Sequence, residues 1–133
     1  MKPNVMLTIT SLLSILFFSF HLTDDVLRNV RGTAQGGVES LVAVLIAIVW
    51  LYGTLALAEQ RSGYIIKLLG SLLASFVAVA HMTGLGGDAV LGEIAKSSGA
   101  FFVWVVIALG VTAIFSLILS AYGLWSLQRG QSR

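Results

Sequence analysis

The sequence predicts an all-α fold, an integral membrane four-helix bundle. Of 133 residues, 57% are hydrophobic and 11% charged, whereas a soluble domain carries about 25% charged residues. Four long apolar stretches follow one another, apolar on all sides rather than along one stripe, which is the pattern of helices solvated by lipid. The segments between them are short, so the whole chain, residues 1–133, reads as a single transmembrane domain.

The first span covers residues 3–22. Lys2 ahead of an apolar run resembles the start of a signal peptide, but FFSFHLTDD at its end has no small-x-small cleavage site, so the segment is expected to be retained. Beyond it, Thr23 followed by Asp24 and Asp25 fits either a continuing helix or the N-cap and acidic first turn of a new one. The second span covers residues 40–58. The third covers 64–82 and reaches spanning length by including Lys67, whose ammonium is expected to snorkel to the interface. The fourth, 100–127, lies in an apolar stretch longer than a bilayer needs, so it tilts, bends near Gly110 or begins outside the membrane. Between the third and fourth, the glycines from Gly84 to Gly87 resemble a phosphate cradle but follow a helix and not a strand, so they are expected to end the third helix.

Lys2, Arg61, Lys67, Arg129 and Arg133 fall on one side of these spans, against Arg28, Arg31 and Lys96 on the other. The positive-inside rule then makes both termini cytoplasmic in a multi-pass cell membrane protein. Tyr64, Tyr122 and Trp125 would form the inner aromatic belt and Trp104 the outer one. Short loops and compact length point to a bacterial inner membrane.

A shift of 60 residues superposes Ser11-Leu12-Leu13 on Ser71-Leu72-Leu73, and His21-Leu22-Thr23 on His81-Met82-Thr83. A shift of 70 superposes Tyr52-Gly53 on Tyr122-Gly123. The implied architecture is two tandem parallel helical hairpins related by a pseudo-twofold axis along the membrane normal. Both histidines would then lie at one depth. Helix contacts in lipid depend on small residues, and the ladders Gly70, Ala74, Ala78 and Ala108, Thr112, Ser116, Ser120 are the expected contact faces. On the first helix Thr10, Ser14, His21, Asp25 and Arg28 share one stripe.

Composition also removes function classes. There is no cysteine, so disulfides, thiolate metal sites and iron–sulfur clusters are excluded. A net charge of +2, dispersed along the chain, lacks the basic stripe that nucleic acid requires. Ion-coupled transport needs an ionisable group near the midplane, and Asp24, Asp25, Glu39, Glu59 and Lys67 all lie near segment ends.

Chemically able side chains concentrate at the outer end: His21, Asp24, Asp25, Arg28, Glu39 and His81. Two imidazoles and a carboxylate (His21, His81 and Asp25) suit a divalent transition ion. The two histidines alone could serve as axial ligands of a haem. Carboxylates and histidine with Arg28 to hold a phosphate would suit an acid–base enzyme acting on lipid. Against these stands ordinary interfacial solvation. The function expected is that of a small accessory or binding subunit, its partners being the lipid bilayer and, through the ladders, a second copy or another membrane protein. A membrane-embedded enzyme or metal-binding protein is the alternative. If the cluster works as a unit, the two imidazoles must lie within about 10 Å of each other, because ligands converge.

Overall fold

The computed structural model describes residues 3–30, 37–85 and 91–131. They form four helices, α1 (Pro3–Val30), α2 (Gly37–Leu55), α3 (Arg61–Thr83) and α4 (Leu91–Gln131). Among the described residues, Asn4–Asp24, Arg61–Thr83 and Gly99–Gly130 are long and apolar enough to cross a membrane. The apolar part of α2, Ser40–Leu55, is shorter. Sixteen residues there reach about 24 Å, against about 30 Å of hydrocarbon.

α1 runs without a break through Thr23. That hydroxyl donates to Ser19 O at 2.8 Å, a bond back along the same helix, so Thr23 caps nothing. The buried side chains Leu7, Ser11, Ser14, Phe18 and His21 recur at alternating steps of four and three, a heptad seam. On α3 the seam is Lys67, Ser71, Ala74 and Ala78, with His81 half-buried at its end, each 60 residues on from its counterpart in α1.

Two interhelical contacts join residues 60 apart. Tyr64 donates its hydroxyl to Asn4 Oδ1 at 3.0 Å near one end of the bundle, and the rings of His21 and His81 meet at the other. α1 and α3 are therefore parallel. They lie across a diagonal, each packed more extensively on α4 and α2 than on the other. Between them Trp50 of α2 fills the centre with Ile15, Phe18, Ala74, Leu109 and Ala113.

Buried hydroxyls pin the antiparallel neighbours. Thr54 Oγ1 donates to Trp50 O, so the Ser11 hydroxyl must supply the proton of its 2.8 Å bond to Thr54. Ser11 Oγ in turn accepts the Trp50 indole N–H at 2.9 Å. Three residues thus close a ring, through the Trp50 main-chain carbonyl, in which every donor has a direction. Between α3 and α4, Ser71 donates to Ser116 Oγ at 2.8 Å. Such bonds count in lipid because water is not there to replace them.

Glycine notches let the large rings in. A Cβ on Gly70 would overlap the Trp50 indole, and one on Gly123 would overlap the Tyr64 ring. Gly70, Ala74 and Ala78 are buried as their spacing predicts. The α4 ladder is turned from its expected register: Ala108 and Thr112 are half-buried, while Val105, Leu109 and Ala113 occupy the contact face with Ser116 and Ser120. Gly110 supplies the close approach there, facing the Ala78 methyl.

Other expectations shift as well. α2 stops at Leu55, three residues before its expected end at 58, and Ala56–Gln60 form turns with Gln60 N–H bonded to Leu57 O at 3.0 Å. Lys67 reaches back toward the end of its span, but its ammonium ends on a turn carbonyl and not in solvent. It is 1% exposed and donates Nζ to Ala58 O at 2.8 Å, 4.5 Å above the Tyr64 ring. Side chains on a helix lean toward its N-terminus, which aims this one at the α2–α3 turn. α4 passes straight through Gly110, and its break is at Gly99, at φ 80° and ψ 172°. α3 ends as its glycines predict, on Gly84 in the left-handed region with its N–H on Ala80 O at 2.8 Å. Gly86 and Gly87 lie outside the described residues.

Candidate functional site

The sixth and seventh turns of α1 and the last turn of α3 build the site, because the shared seam ends in a histidine on each helix. His21 is 4% exposed and His81 half-buried. Their Nε2 atoms are 3.4 Å apart. The ring centroids are only 4.8 Å apart at an interplanar angle of 73°, so the rings meet edge to face, not lone pair to lone pair. Contact at that length is at the weak end of hydrogen bonding. Phe102 of α4 stands beside both, 5.5 Å from the His21 ring and 6.5 Å from the His81 ring, and Phe18 lies 6.4 Å from His21. Among the described residues, His81 Nδ1 is buried without a hydrogen-bond partner.

The rest of the expected cluster is placed only in part. Asp24 is half-buried one turn beyond His21. Asp25 and Arg28 follow on α1 and Glu39 sits in the first turn of α2, but their side chains lie outside the described residues. Among the described residues, no three of His, Asp or Glu converge as metal ligands. The two imidazoles supply half of a tetrahedral set. For a haem they stand too close, since an iron about 2 Å from each nitrogen needs a macrocycle between rings that here touch.

An apolar cleft of about 370 Å³ opens between α1, α2 and α3 against His21, walled by Phe18, Val42, Ala43, Ile46 and Leu73 among others. Two further grooves flank α2, one of about 450 Å³ against α1 and one of about 380 Å³ against α3. In the first, the Ser19 and Thr23 hydroxyls are spent on their own helix, leaving a hydrocarbon surface.

Both histidines were legible in the sequence as a pair, but not all of the side chains around them were. Phe18 was legible as a member of the seam that holds Ser11, Ser14 and His21. Phe102 was not, because it reaches the histidines only through the packing of α4 on α1 and α3. Searches for relatives add no assignment: no family model, curated protein or solved structure matches this chain.

Proposed function

We propose that this chain is a small integral membrane protein that crosses the bilayer four times and acts as a binding or accessory subunit through the His21–His81 pair at its outer end. The carrying observation is that two imidazoles 60 residues apart meet at 3.4 Å inside an aromatic enclosure. Apolar packing alone has no need of imidazoles there.

The membrane setting is supported by Trp104 and Trp125, 56% and 49% exposed on one helix. Twenty-one residues separate them, about 31 Å of helix, close to the thickness of the hydrocarbon layer. Arg129 stacks on Trp125 at 3.6 Å, as a cation at a headgroup boundary would. The charge distribution favours both termini in the cytoplasm. The matched seams of α1 and α3 and the contacts between residues 60 apart favour a duplicated hairpin. The short α2 crosses where the bilayer thins or where a second copy or another membrane protein covers it. The alternative, a metal-binding protein or membrane-embedded enzyme, gains support only if Asp25 or Glu39 joins the pair.

The test follows isotope-labelled imidazole signals of the protein in lipid nanodiscs while zinc, copper(I) or a lipid-soluble carbonyl compound is added singly. A working pair shifts both histidine signals together with one of them. Silence toward all three, with unchanged stability when both positions are leucine, would reduce the pair to packing and end this reading.

A further inference from the structure

We infer that the His21–His81 pair is an acid-released clasp, closed while one proton lies between the facing nitrogens and opened, with the outer ends of α1 and α3 moving apart, when both imidazoles are charged. This inference rests on the histidine pair being the working site, and names the proton as what regulates it.

Proton counting supports it. Nε2 faces Nε2 at 3.4 Å, and such a contact needs one nitrogen to donate and the other to accept. An imidazolium carries a donor on both nitrogens and no acceptor. One charged ring can therefore keep a neutral partner, but two charged rings set N–H against N–H and bring like charges into contact. The closed pair has no room for that state. Each Nε2–H must find its own acceptor at about 2.9 Å, and one water accepting from both holds the nitrogens about 5 Å apart.

The neighbouring groups do not relieve that clash while the rings stay in place. Phe18 of α1 and Phe102 of α4 pack beside them as hydrocarbon. Of the charged and titratable groups, α1 brings Asp24, half-buried one turn beyond His21, and α4 brings Lys96, exposed and six residues before Phe102. Asp25 and Arg28 of α1, Glu39 of α2 and Glu93 of α4 lie in the outer turns of their helices, with side chains outside the described residues. At this end α3 contributes His81 alone. A carboxylate beside one ring balances a charge and still leaves two donors facing each other. The placement of the helices decides what then moves. α1 and α3 lie across a diagonal and pack more extensively on α2 and α4 than on each other, and Tyr64 with Asn4 holds their other ends. Parting the rings therefore acts on the outer end and widens the cleft of about 370 Å³ beside His21.

The chain has no cysteine, so paired spin labels need no background removed. Thr23→Cys with Thr83→Cys labels exposed positions just beyond the two histidines, and Val5→Cys with Ile65→Cys labels the inner end. In phosphatidylcholine nanodiscs, lowering the pH from about 8 to about 4.5 crosses the range in which an ordinary imidazole titrates and stops above that of an ordinary carboxylate. The outer label distance should lengthen by about 1.5 Å or more, the step from the closed contact to the water-bridged one. The inner distance should hold. Isotope-labelled imidazole signals should report both rings charged over the same range. His81→Asn and His21→Asn each keep a hydrogen-bonding side chain and allow one charge, so either should abolish the lengthening.

An outer distance that stays constant in the labelled protein overturns the inference, whether or not the rings take up both protons and whether or not the asparagine variants fold. Lengthening that persists in those variants, that appears equally at the inner end or that does not follow the imidazole signals overturns it too, because acid then acts elsewhere in the bundle. If the distance stays constant while zinc, copper(I) or the carbonyl compound still shifts both imidazole signals together, this inference falls and the histidine-pair reading stands.

Discussion

Trp50 and Ser11 join α2 to α1 through the indole N–H, which donates to the serine hydroxyl at 2.9 Å. Ser11 passes its own proton to Thr54, so the serine serves two partners. Ser11→Ala should cost about 1–3 kcal/mol by leaving a buried indole N–H unmet. A thermal melt in mild detergent should show Ser11→Ala well below wild type and Ser11→Thr nearer to it. Equal melting points for all three proteins would mean that the ring of bonds does not hold the helices.

Gly70 tests packing without chemistry. Alanine is the better helix former by about 1 kcal/mol. Its methyl would overlap the Trp50 indole, and overpacking costs about 1–3 kcal/mol. Gly70→Ala should therefore destabilise, whereas Gly70→Ala combined with Trp50→Phe should lose less than the two single changes summed. Additive losses would show that these positions do not touch.

Lys67 answers an orphaned carbonyl in the α2–α3 turn. Lys67→Met keeps the length and removes the donor, and should free the turn while α3 persists. The measurable outcome is faster amide exchange and proteolysis around residues 56–60. Unchanged protection there would show that the turn holds itself.

Gly99 has a backbone that only glycine adopts without strain. Open space surrounds its missing Cβ, so any penalty is conformational. Gly99→Ala should cost about 1–3 kcal/mol or straighten α4, read as a lowered melting point in mild detergent or as slower amide exchange around the break. Unchanged stability together with unchanged exchange would argue against both.

The contrast between sequence and structure is clearest at the ends of elements. Gly84 announced the end of α3 because a left-handed residue is a local requirement that glycine meets cheaply. No such residue marks the end of α2: Ala56, Leu57, Ala58, Glu59 and Gln60 are all acceptable in a helix. The stop coincides with a hydrogen bond from Lys67, nine residues after the carbonyl that receives it.

The same division covers the site. Hydropathy alone determined helical segments suited to lipid, because transfer free energy is a sum over residues and needs no partner. The recurrence of Ser11 and His21 at Ser71 and His81 likewise marked which positions would correspond. Tertiary structure alone decided that the imidazoles touch, that Lys67 ends on the Ala58 carbonyl and that a cleft opens beside His21. Those outcomes depend on which helix faces fit together, and shape complementarity between segments far apart in the chain is not a property of either segment alone.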